Sequence, residues 1–206
     1  MLEEIADNIR QKLKNQHVPP RILLDRFRLI DENSRRSGQY LDPNYLPFYY
    51  HLSKFVHPKE ILHVGLDLGL PSCCFLLGSK SVTGVLGFQR KSKFFYSPRI
   101  AVSNMRDVKG KRLNVGFHYG SILDDDMQKK MSGGVDLVLI TERCSHDQIS
   151  ETLEVCWERT RLDGFLVVDH ISGKDGFGDV CRNFCKSKNA PFIDLATRYG
   201  TMIIRK

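Results

Sequence analysis

Residues 61–77 read ILHVGLDLGLPSCCFLL. An apolar run, Ile61-Leu62-His63-Val64, meets a glycine turn at 65–69 (GLDLG). Pro71 then stands where proline suits the first turn of a helix, which residues 72–77 continue. Strand, glycine turn and helix form the opening unit of a nucleotide-binding α/β fold, in which the backbone passes close to a ligand and the helix start offers free N–H groups. By itself the Gly-x-x-x-Gly spacing reads equally well as a tight turn with no ligand. It is neither a P-loop nor a dinucleotide fingerprint. What decides is whether strands and helices alternate after it.

They do. Residues 81–86 (SVTGVL), 113–117 (LNVGF), 135–140 (VDLVLI) and 164–168 (GFLVV) read as strands, and 135–140 is apolar enough to be buried on both faces. Between them lie a basic, aromatic stretch at 89–106 containing a helix broken near Pro98, a small acidic helix at 124–131, and a helix, DQISETLEVCWERTR, at 147–161. In the last, Ile149, Leu153, Cys156 and Trp157 share a face, and Asp147 is the expected N-cap. A helix at 176–187 and a hairpin, 191–196 with 201–204, close the series. Upstream, Leu2, Ile5, Ile9 and Leu13 mark an amphipathic helix over 2–14, residues 21–30 resume a helical pattern after Pro19-Pro20, and an aromatic helix spans 42–55. The order predicts a three-layer Rossmann-like α/β sandwich: a mostly parallel seven-stranded sheet with a C-terminal antiparallel hairpin. Residues 1–41 read as a helical N-terminal extension and 42–206 as the α/β domain.

Bulk properties narrow the class. The chain has 206 residues, 41% of them hydrophobic, with no apolar run near the ~20 residues of a membrane span. Its polar start, MLEEIADNIRQK, is unlike a secretory signal. A soluble, cytoplasmic protein is expected, alone or as part of a particle. The six cysteines (Cys73, Cys74, Cys144, Cys156, Cys181, Cys185) form no C-x-x-C pair or zinc spacing, so buried thiols and no metal site are expected. The net charge of +7 is regional: residues 80–112 hold nine lysines and arginines against one acid, Asp107. A partner with an acidic surface or phosphate is implied.

The layout, together with ILHVGLDLG and the segment VDLVLITERCSHDQISETLEVCWERTRLDGFLVVDH, resembles the class I S-adenosylmethionine-dependent methyltransferases, and among them the small-molecule O-methyltransferases. The likeness implies that Gly65, Asp67, Gly69 and Ser121 hold the cofactor, and that Glu142, His146 and Asp169 stand where catalytic groups act on a methyl acceptor. The departures carry weight too. The family's acid at the end of the first strand is His63 here, and its middle glycine is Asp67. The acid that accepts both ribose hydroxyls falls, by the expected register, on Leu86. The aspartate of metal-dependent members is replaced by Thr141-Glu142.

Each charge-assisted hydrogen bond to the ribose contributes ~1.5–3 kcal/mol, so a missing carboxylate implies weak or lost S-adenosylmethionine binding. The expectation is therefore a diverged methyltransferase-fold protein serving as a binding or structural component of an assembly, a pseudoenzyme. An active methyltransferase with an altered pocket is the alternative, with no metal in either case. A third reading is a nucleotide or nucleic-acid binder. In it Arg90, Lys91 and Lys93 contact phosphate at the second strand's exit, and Phe88, Phe94, Phe95 and Tyr96 stack bases; the same run reads equally as a solvated basic helix. His63 is expected to be a satisfied core histidine. His170 is a further candidate base.

Overall fold

The structure, a computed structural model, describes residues 1–15, 45–90, 98–110, 112–131, 133–142, 145–173, 176–197 and 199–206. In chain order these form helix α1 (Leu2–Lys14), α2 (Tyr45–Val56), strand β1 (Glu60–Val64), α3 (Leu70–Gly78), β2 (Gly84–Gln89), α4 (Pro98–Lys109), β3 (Asn114–Tyr119), α5 (Asp125–Lys130), β4 (Val135–Ile140), α6 (His146–Arg159), β5 (Thr160–Asp169), α7 (Phe177–Ser187), β6 (Phe192–Leu195) and β7 (Thr201–Arg205). One seven-stranded sheet results, in the order β3-β2-β1-β4-β5-β7-β6. It is parallel except that β7 runs antiparallel to both β5 and β6. This is the expected sandwich. Residues 21–30 and the start of the 42–55 helix lie outside the described residues.

Strand alternation builds two cores. Ile61, Val85, Leu137, Leu139 and Val167 face α1–α4, while Leu62, Phe88, Val138, Ile140 and Leu166 face α6 and α7. Ile5, Ala6 and Ile9 of α1 are buried in the first core, so this helix packs on the sheet domain. Cys73, Cys74, Cys156, Cys181 and Cys185 are buried free thiols, and no helix among the described residues is long and apolar enough to cross a membrane.

Three boundaries differ from expectation in ways that matter for the site. The second strand begins at Gly84, not Ser81, because side chains tie 79–83 into a loop. Ser81 Oγ donates to the Pro58 carbonyl (2.8 Å), and Thr83 Oγ1 donates to Glu60 Oε1 (2.9 Å). The strand therefore continues to Gln89, and Leu86 pairs with Leu62 in mid-strand. Helix α6 is capped by Ser145, not Asp147. Ser145 is extended (φ −67°, ψ 165°), its hydroxyl accepts from the Gln148 amide, and the Gln148 side chain returns the bond. Asp147 instead sits in the first turn, where its charge suits the helix dipole. β5 starts at Thr160, as soon as α6 ends.

Candidate cofactor cleft at the carboxyl rim of the sheet

Ligands of open parallel sheets sit outside the carboxyl ends of the strands, where the order reverses. Here the reversal lies between β1 and β4. Gly65 has φ +87°, and a Cβ placed on it would come within 2.5 Å of the Glu142 amide nitrogen. Only glycine lets the exits of β1 and β4 approach this closely. The turn's Leu66 and Leu68 are buried, and Leu66 packs over Gly87, whose missing side chain makes the room. Asp67 takes a left-handed conformation (φ +42°) that glycine would adopt freely.

His63, buried at the end of β1, has both ring nitrogens occupied. Nδ1 lies 2.8 Å from Ser72 Oγ and Nε2 3.0 Å from Thr141 Oγ1. Thr141 donates its own proton to the Gly65 carbonyl (2.7 Å), so Nε2 must carry the hydrogen and Nδ1 accept from Ser72. Burial lowers the His63 pKa to about 3, which keeps the ring neutral. A neutral donor–acceptor thus stands where the resemblance calls for an acid.

The residue at the end of β2 is Gln89, which sequence reasoning missed. It is buried, and its Oε1 accepts from the Asp67 amide at 2.6 Å. The carboxamide is thus turned toward the glycine turn. The signal was present: Gly84-Val85-Leu86-Gly87-Phe88 keeps its alternation to Gln89, and the basic run begins only at Arg90.

Arg90 then crosses the rim. Its Nε lies 2.9 Å from Glu142 Oε1, a charge contact that is not aligned as a hydrogen bond, and its Nη1 donates to Gln148 Oε1 at 2.9 Å. Burial pushes the Glu142 carboxyl up, and Arg90 pulls against that shift. Beside this bridge a hollow of about 570 Å³ opens at the exit of β3, lined by Arg90, Tyr119, Gly120, Ser121, Asp124 and Gln148. There Ser121 donates its amide to Asp124 Oδ2 (2.9 Å), and its hydroxyl accepts from the Leu123 amide (3.2 Å).

The rim therefore brings together Gly65, Asp67, Gly69, Arg90, Ser121 and Glu142. Asp169 stands apart from them. It is buried at the end of β5, where Tyr45 donates to it at 2.8 Å, Tyr49 also donates to it, and Thr201 donates at 2.8 Å. Burial raises its pKa while these hydroxyls oppose the shift. His170 sits with positive φ against the Tyr199 ring. Phe88 is core, 1% exposed and packed near His118, so its ring is not available to stack a base. Lys91, Lys93, Phe94, Phe95, Tyr96 and the His146 side chain lie outside the described residues. Among the described residues no group of three or more His, Cys, Asp or Glu is placed to hold a metal.

This architecture is the class I S-adenosylmethionine-dependent methyltransferase fold. The chain is similar to the SAH-bound methyltransferase PaMTH1 of Podospora anserina (14% identity, TM-score 0.70, covering 100% of this chain and 96% of that one). It is likewise similar to the O-methyltransferase of Bacillus cereus in complex with SAH (15%, TM-score 0.62, 100% of both chains). An O-methyltransferase family protein of Burkholderia thailandensis gives 11% identity and a TM-score of 0.65 over 99% of this chain and 69% of that one. No family model matches the chain, and no curated protein does.

Proposed function

We propose that this is a methyltransferase-fold protein with a weakened cofactor site, acting as a binding or structural component of a larger assembly rather than as an ordinary methyltransferase. The observation that carries the reading is the Arg90–Glu142–Gln148 bridge across the rim. It joins the exits of β2 and β4 to α6, with Glu142 packed beside Gly65, while Gln89 and His63 stand where the resemblance calls for two acids. Replacing the bridge with a ligand means separating a half-buried ion pair, with no carboxylate offered to the ribose in return.

The second reading is an active enzyme with an altered pocket. It draws on the neighbours crystallised with SAH and on the hollow beside Ser121, which is large enough for a small planar ring. In that reading Gly65, Asp67, Gly69 and Ser121 contact cofactor. Glu142 and His146 face the acceptor, whereas Asp169, held by three hydroxyls, supports the helix above it. Titration of the full chain with S-adenosylmethionine and SAH, followed by calorimetry and thermal unfolding, separates the two. Ligand at about 100 times its dissociation constant adds ~2.7 kcal/mol of stability. We expect no shift at 100 µM; micromolar binding abolished by Asp67→Ala establishes the second reading instead.

A further inference from the structure

The basic segment has a feature separate from the cofactor rim. β3 forms one edge of the sheet, and among the described residues it pairs only with β2. The Asn114 amide bonds to Thr83 O and the Gly120 amide to Gln89 O, so even-numbered residues point their backbone groups at β2. Those of Val115, Phe117 and Tyr119 point outward. The strand, NVGFHY, contains no proline, no lysine and no bulge, three of the devices that blunt an edge. Its Val115 and Phe117 are half-buried, and Tyr119 is 46% exposed. Alongside runs α4, and between the two lies a groove of about 830 Å³, floored by Val102, Val115 and Phe117 and rimmed by Arg99 and Arg106, with Asp107 as its acid.

We propose that this groove takes an acidic, extended protein segment as an eighth strand, its alternate apolar side chains set between α4 and β3 and its carboxylates on the arginine rim. Charge selects this occupant. A second copy paired edge to edge would bring two arginine rims together. The chain's own residues 16–44 carry five arginines against four acids, a net positive charge that complements an arginine rim poorly. A nucleic-acid strand would satisfy the arginines but leave the outward N–H and C=O groups of β3 unused.

The inference does not depend on whether S-adenosylmethionine binds, and its test is separate. The full chain is titrated into a fluorescein-labelled octapeptide of alternating glutamate and valine, with a lysine–valine octapeptide, an alternately N-methylated glutamate–valine octapeptide and an oligothymidylate as comparisons. Anisotropy should show saturable binding of the first only. N-methylation and the double variant Arg99→Glu/Arg106→Glu should each weaken it at least tenfold, the variant retaining its thermal midpoint. Equal binding of the N-methylated peptide reduces the site to bare charge and overturns strand addition. Binding of oligothymidylate without the acidic peptide assigns the face to nucleic acid. A dimer in sedimentation that Phe117→Lys dissolves assigns it to a second copy, and absence of any binding ends the proposal.

Discussion

At the scale of single residues, two buried polar groups have opposite consequences. His63 is held neutral with a pKa of about 3, against 6.5 in the unfolded chain. Between those values the unfolded state binds a proton that the native state refuses. The stability contributed by the neutral ring is therefore complete above pH 6.5 and is lost as pH falls. His63→Gln keeps one donor and one acceptor without titrating. Urea unfolding from pH 7.5 to 4.5 should show wild type losing up to about 1.4 kcal/mol per pH unit relative to that variant below pH 6.5. Parallel curves would mean that the imidazole is not locked between Ser72 and Thr141. Asp169 is the reverse case, a carboxylate that organises its neighbours. Asp169→Ala strips an acceptor from Tyr45, Tyr49 and Thr201, all buried. The expected cost is about 3 kcal/mol, read as a lower urea midpoint, with Asp169→Asn losing less because it keeps one acceptor oxygen.

At the scale of elements, the sequence disclosed every described strand and helix but misplaced the ends on which the site turns. Interiors are legible because alternation and helical spacing repeat over several residues, as in VDLVLI, which matches β4 residue for residue. Ends are set by single hydrogen bonds between residues distant along the chain, such as Ser81 to Pro58, which no local pattern records. The same limit hid Gln89 and the Arg90 bridge: both depend on where β2 stops. It also put the cap on the wrong residue, since serine at 145 and aspartate at 147 are equally good cap types. That difference is measurable. Ser145→Ala should destabilise the protein by about 1 kcal/mol, whereas Asp147→Ala should change it by no more than about 0.5 kcal/mol. An equal or larger loss at Asp147 would contradict the capping geometry of α6.

At the scale of the whole molecule, strand order gathers the exits of β1, β2, β3 and β4 at one rim and, among the described residues, leaves β3 paired on one side only, so one basic segment borders two distinct surfaces. The rim keeps a tight glycine turn, with Gly65 and Gly69 both at positive φ. Its side chains are turned onto the protein itself: Gln89 to the Asp67 backbone amide, His63 to Thr141, Arg90 to Glu142 and Gln148. On the proposed reading, in which these inward contacts oppose S-adenosylmethionine binding, undoing them should raise affinity without rebuilding the fold. Gln89→Glu places a carboxylate at the end of β2 while its oxygen still accepts from the Asp67 amide, and Arg90→Ala removes both the bridge and the cation that would neutralise the new charge. A carboxylate on the ribose hydroxyls contributes ~1.5–3 kcal/mol per hydrogen bond, so SAH affinity in the double variant should rise at least about tenfold over wild type by calorimetry. Gln89→Glu alone should gain little, because Arg90 would capture the carboxylate. If the double variant folds to the wild-type thermal midpoint and still shows no SAH binding, the obstacle lies elsewhere in the rim, and the account of this cleft built on Gln89 and Arg90 is wrong.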